Sequence, residues 1–196
     1  MSHPLLVVIT GPSAVGKDTV LERLRVTSPS AHFAVTATTR PPREGEIDGV
    51  HYHFRSVPDF EAMIVNGDLL EHALVYGDWK GVPLAPVREA LGSSQDVLMR
   101  TDVQGARHIK SVAPGAVTIF IAPPSIEELH RRLNDRGADT DEQAAIRLRI
   151  ADEEMATAGD FDHTVINDDL DACVAEIETI LTGERMRPGR KAVLFD

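Results

Sequence analysis

One stretch constrains this chain more than any other: Gly11-Pro12-Ser13-Ala14-Val15-Gly16-Lys17-Asp18-Thr19. It follows the apolar run Leu5–Thr10 and precedes Val20, Leu21 and Leu24, which recur at helical spacing. A Gly-x-x-x-x-Gly-Lys loop between a strand and a helix is a phosphate cradle. Its glycines let backbone N–H groups converge on phosphate oxygens, the helix N-terminus adds its positive dipole end, and the lysine reaches the β- and γ-phosphates. All of residues 11–19 are therefore candidate ligands of a nucleoside triphosphate. Asp18 stands where a serine or threonine normally offers a hydroxyl to Mg2+; a carboxylate is also a hard oxygen donor, which makes Asp18 the candidate metal ligand, with Thr19 as the alternative.

A cradle of this kind sits in an α/β domain, and the rest of the chain agrees. Leu5–Thr10, Val97–Arg100, Val117–Ala122 and Thr164–Ile166 are short apolar runs without strict alternation, as expected of parallel strands covered on both faces by helices. Ile126, Leu129 and Leu133 follow Ser125, which forms a capping box with Glu128. Leu170, Cys173, Val174, Ile177, Ile180 and Leu181 make an amphipathic stripe expected to end at Gly183. The predicted architecture is a three-layer core around a parallel sheet. With 196 residues and roughly 150 residues per domain, one domain is expected, its core formed by residues 1–32, 82–130 and 160–182. Two segments break the alternation: a strand-rich insertion at about 33–81 and a charged helical arm at about 131–159. The basic tail, 183–196, reads as a mobile, solvated terminus.

Composition narrows the partners. The formal charge of -11 repels phosphate backbones and anionic lipid, which argues against nucleic acid and membrane as partners. The single cysteine, Cys173, permits no intrachain disulfide and fits a reducing compartment. Leu5–Ile9 is too short for an export signal, so a cytoplasmic location is expected.

The cradle implies a triphosphate without naming a reaction. No Asn-Lys-x-Asp base-reading motif follows it. A transferase acting on a phosphorylated acceptor needs a second anion site, and Arg40 and Arg43, beside hydroxyl residues and stiffened by Pro41 and Pro42, offer one; guanidinium forks hold a phosphate monoester bidentately.

Together with the cradle, the stretches Thr38–Phe54, Asp102–Ala106, Ala122-Pro123-Pro124-Ser125, Arg136-Gly137 and Val165–Leu170 make the chain similar to the guanylate kinases, from Leu6 to about Leu181. That resemblance implies a parallel-sheet core, a strand-rich GMP-binding part and a helical lid. It implies Mg2+-dependent, direct in-line transfer of the ATP γ-phosphoryl group to GMP, with ATP and GMP as small-molecule partners. By the same resemblance Arg40, Arg43 and Tyr52 grip the GMP phosphate, Thr36 and Glu71 read guanine, and Asp102 lies near GMP and the metal. Lys17 is catalytic from the loop, at the β- and γ-phosphates, and Arg132, Arg136 and Arg147 close over the transferring phosphate, where cations offset charge spreading over its oxygens. Asn167 contacts the ATP base or the loop backbone.

Three positions depart from the family pattern. Lys80 replaces a phosphate-contacting tyrosine, Val82 a guanine-reading hydroxyl residue, and Arg100 an acidic residue. The Lys80 ammonium replaces the phenol by charge at the GMP phosphate, without its rigid reach. Lys80 and Val82 leave open a kinase of the same fold for another phosphorylated acceptor; the other alternative is a catalytically inactive binding module, against which Lys17 and the lid arginines argue.

Overall fold

The computed structural model describes residues 3–75, 77–134, 141–193 and 195, with the backbone alone for 141–144. In chain order the first elements are β1 (Leu6–Thr10), α1 (Lys17–Thr27), β2 (His32–Phe33), β3 (Ala37–Thr38) and β4 (His53–Phe54). Next come α2 (Val57–Asn66), β5 (Leu69–Val75), β6 (Asp78–Pro83), α3 (Leu84–Gly92), β7 (Val97–Arg100) and α4 (Val103–Val112). The chain continues through β8 (Val117–Ala122), α5 (Ile126–Asn134), α6 (Asp141–Met155), β9 (His163–Ile166) and α7 (Leu170–Met186).

Five strands form a wholly parallel sheet in the order β2-β7-β1-β8-β9. Its central strand, β1, is buried throughout because each face packs on its own helices. Val7 and Ile9, with the preceding Leu5, meet Val20, Leu21 and Leu24 of α1 and Cys173, Val174 and Ile177 of α7. Leu6 and Val8 face Val87 and Ala90 of α3 and Ala106 and Ile109 of α4. The pleat still alternates at period two; both of its sides are apolar, so the sequence shows a continuous run.

The second sheet has the order β4-β3-β6-β5, with β6 antiparallel to both neighbours. α2 leans on it through Phe60, whose ring stacks on Trp79 at 5.9 Å. That helix starts where the Ser56 side chain accepts the Asp59 N–H and stops at Gly67, in left-handed conformation. α5 begins at Ser125, as expected, the Glu128 N–H donating to Ser125 Oγ at 3.2 Å, but the Glu128 carboxylate is taken by Arg131 and Arg132 in place of the reciprocal capping-box bond. Leu129 and Leu133 pack with Ala151 of α6, and Ala14 of the phosphate loop joins that cluster.

Two helices, α3 and α4, are missing from the sequence reading, as is the short edge strand β2. α3 starts after Pro83 without a capping side chain and carries Pro86 in its first turn, so its pattern reads as broken. α4 buries only the modest face Val103, Gly105, Ala106 and Ile109, and its cap is Asp102, whose Oδ1 accepts the Gly105 N–H at 2.8 Å.

Two expectations need correcting. α7 does not end at Gly183 but runs on to Met186. Its buried stripe continues at Glu184, which pairs with His163 Nε2 at 3.1 Å, while Gly183 faces open space. The basic tail is anchored rather than loose, although Arg185, Arg187 and Lys191 stay exposed. Arg190 donates to the carbonyls of His3 and Pro4, Arg185 binds Asp96 at 2.7 Å, and Val193 and Phe195 pack on the core beside α3 and α4.

Candidate active site

The phosphate loop leaves β1 at Gly11, whose φ of 137° belongs to glycine and where a Cβ would overlap the Ile121 carbonyl of β8. The loop therefore lies flat against the neighbouring strand only with glycine at this position. Gly16, at φ 97°, has Asn167 Nδ2 where a Cβ would stand. That amide donates to the Val15 carbonyl at 2.8 Å, so Asn167 clamps the loop backbone. Its own carbonyl oxygen accepts from Arg132 Nη1 and Nη2 at 3.2 and 3.3 Å. Glu128 accepts from Arg132 Nε at 2.8 Å, and the bonds from Arg131 and Arg132 hold the Glu128 carboxyl down to about 2. Arg132 is thereby tied to the loop.

Lys17 folds back over the loop, donating to the carbonyls of Gly11 at 2.6 Å and Pro12 at 2.9 Å. Burial pushes its ammonium down to about 8, against the pull of Glu154, Asp18 and Asp102 and with the repulsion of Arg100. Glu154, from the end of α6, accepts the Ser13 N–H and is held above the usual carboxylate range by burial, with Lys17 opposing. Sequence reasoning missed Glu154: in the acidic run Asp152-Glu153-Glu154 nothing marks one carboxylate as turned towards the loop.

Asp18 and Thr19 are exposed at the start of α1. Asp18 forms an ion pair with Nε of Arg100, and the Arg100 guanidinium lies 4.8 Å from the centre of the Tyr52 ring. Arg40 covers the same ring at 4.7 Å and is held by two bonds to Glu46, at 2.6 and 2.5 Å. These bonds keep the Glu46 carboxyl near 2. Glu46 also accepts the Arg43 N–H at 2.7 Å, while the Arg43 side chain is exposed. Glu46 is a second residue the sequence reading passed over; it lies inside the Thr38–Phe54 stretch but reads there as a turn charge.

Glu71 is 3% exposed on β5. Its carboxyl enters the space left by Gly105, where a Cβ would overlap both the carboxyl and Thr101 Oγ1. Burial, with Asp102 adding repulsion, pushes it up to about 8, although a bond to Thr101 works the other way. Thr36 is buried just before β3, and its carbonyl accepts the His53 N–H at 2.9 Å. Val82 pairs with Glu71 across the sheet but is itself buried in the core among Leu6, Val8 and Leu70. Lys80 sits on β6 between Thr38 and Ala73.

The fold thus brings together the loop, Arg40, Tyr52, Glu71, Asp102, Arg132 and Asn167, drawn from both sheets and from α5. Arg147 is half-buried on α6. Arg136 lies outside the described residues.

A family model described as guanylate kinase matches residues 3–184. A guanylate kinase of Carboxydothermus hydrogenoformans is 44% identical over 97% of this chain and 93% of its own length. One from Gloeobacter violaceus is 47% identical over 93% and 90% respectively. A solved guanylate kinase from Anaplasma phagocytophilum superposes with a TM-score of 0.80 at 30% identity, covering 97% of this chain and 90% of that one. A gluconokinase from Sinorhizobium meliloti, at 17% identity and a TM-score of 0.50, shares the fold alone. These relatives lend no support to the other-acceptor or inactive-module alternatives.

Proposed function

The chain belongs to the guanylate kinase family, and we propose that its two anion sites perform that chemistry through the residues described above. The reaction is ATP-dependent phosphorylation of GMP to GDP. The observation that carries the assignment of residues is the unbroken series of contacts from the phosphate loop through Asp18, Arg100 and Tyr52 to Arg40 and Glu46. Donor and acceptor phosphates bound at its two ends would face each other for in-line displacement.

In this reading the backbone of residues 11–19 and Lys17 hold the ATP phosphates. Lys17 exchanges its bonds to the Gly11 and Pro12 carbonyls for phosphate oxygens, which satisfy an otherwise buried ammonium. Asn167 keeps the loop in shape. Arg40, Arg43, Tyr52 and Lys80 receive the GMP phosphate, with Glu46 presenting Arg40 in a fixed pose. Glu71 and Thr36 read guanine: a carboxylate accepts from the paired N1–H and N2–H donors that adenine lacks on that edge, and leaving such a buried reader unpaired penalises the wrong base. Asp102 shapes the GMP site from the α4 cap. Arg132, Arg136 and Arg147 offset charge on the transferring group, and closure of the lid excludes water.

The donor chemistry at the loop fits a Mg2+ ion carried by ATP, since such an ion takes one or two protein carboxylates beside phosphate oxygens and water. Asp18, 59% exposed at its side chain, presents one. When bound, the ion would neutralise charge on the β- and γ-phosphates. A cytoplasmic location belongs to the same reading, supported by a single cysteine, Cys173, that is free and buried. Among the described residues no helix is long and apolar enough to cross a membrane.

The test is ADP release from Mg-ATP with GMP, dGMP, AMP, UMP and CMP as acceptors, beside the Lys17→Ala variant. Turnover confined to GMP and dGMP, and lost in the variant, is expected. Faster turnover with another nucleotide would overturn the base assignment, and full activity in the variant would overturn the role of the loop.

A further inference from the structure

Arg100 reverses the charge that the family resemblance leads one to expect at the end of β7, and its surroundings give that reversal a use. The side chain is 18% exposed. Strand register sets it beside Ile9, just before the phosphate loop, while its guanidinium reaches Tyr52 on the other side. It therefore spans from the donor loop to the Tyr52–Arg40 cluster.

The ion pair with Asp18 does not by itself account for this placement. Asp18 is 59% exposed, and pairs made with a solvated partner contribute little stability. Arg100 also stands among other cations. It shares the Tyr52 ring with Arg40, and its charge adds to burial in lowering both Lys17 and Arg25. Of the carboxylates nearby, Glu46 is already engaged by two bonds from Arg40. A doubly charged phosphate monoester entering between these groups would offset that repulsion. A guanidinium held through Nε keeps its terminal N–H groups for a second, forked contact.

We propose that Arg100 is an additional phosphate-binding residue of the acceptor site, donating to the 5′-phosphate of GMP from the side facing the ATP loop, with Asp18 as the brace that sets its guanidinium. This rests on the reading of GMP as acceptor given above. Arg100 makes no bond to the transferring group and exchanges no proton; it fixes the attacking phosphate oxygen in line.

The experiment measures the Kd of GMP, AMP and ADP separately for the wild-type protein, Arg100→Gln and Arg100→Lys, with unfolding midpoints recorded for each. For Arg100→Gln, GMP is expected to bind at least tenfold more weakly, with ADP unchanged within threefold; Arg100→Lys should fall between. Unchanged GMP affinity, equal weakening of GMP and ADP, or a loss confined to ADP would each overturn the proposal. If Arg100→Gln fails to fold, Arg100→Lys decides: an unchanged GMP Kd overturns the proposal, and a selective GMP loss supports it. Failure of the underlying reading looks different, because the wild-type protein would then bind GMP no better than AMP.

Discussion

Buried beside Asp102, the Glu71 carboxyl keeps its proton up to about pH 8, yet the N1–H and N2–H groups of guanine that it is proposed to read are both donors. Binding GMP must therefore release that proton, and below pH 8 GMP affinity should rise with pH, approaching tenfold per unit well below the pKa. Calorimetry of GMP binding at pH 6.5 in buffers of different ionisation enthalpy should detect about one proton released; none released would remove Glu71 as an ionised reader. The same shift has a stability consequence. The folded state holds a proton that the unfolded chain gives up above 4.5, so stability is full below 4.5 and is lost as pH rises towards 8. Glu71→Gln has no such loss. Its unfolding midpoint should gain on the wild type between pH 5 and 8 while GMP binding disappears. Lys17 and Glu71 were both singled out in the sequence, by motif and by resemblance. Glu46 and Glu154 were not, because their roles come from a partner brought near by folding.

Between elements, the loop is shaped by its neighbours as much as by its glycines. Asn167, at the end of β9, bonds the Val15 carbonyl, while its backbone oxygen anchors Arg132 of α5. Asn167→Ala removes the first contact and retains the second. It should cost about 1–3 kcal/mol, the range for a buried group left unpaired, and weaken ATP more than GMP in paired Kd measurements; equal weakening would deny the loop its clamp. α4 shows a similar economy: Asp102 caps it, and Gly105 in its first turn clears space for Glu71. Four of the five strands of the parallel sheet were legible within a residue because buried parallel strands are unbroken apolar runs, whereas β2, two residues long, was not. α3 and α4 escaped because prolines and small residues hide their faces.

Across the whole molecule, a formal charge of -11 coexists with a cluster of Lys17, Arg40 and Arg100. Net charge reports on solubility and partners at long range, whereas the site is set by which cations the fold draws together. The docked tail makes the same point for packing. Its arginines read as solvated, but Val193 and Phe195 rest on the core and Arg190 reaches back to Pro4. Phe195→Ala should lower stability by about 1 kcal/mol, less than the cost of removing a fully buried phenylalanine, as read by denaturant midpoint. No change would return the tail to solvent.

The sequence by itself determined the α/β class, the phosphate cradle, the capping of α5 and four of the five central strands, because these rest on contacts within a few residues of each other or on periodic burial. Only the tertiary structure decided that Asp18 pairs with Arg100, that Arg100 and Arg40 share Tyr52, that Glu71 is shut away from water beside Gly105, and that Glu154 turns to the loop. Each of those depends on where two distant segments meet, and in a single sequence a charged residue looks the same whether it faces solvent or another charge across the site.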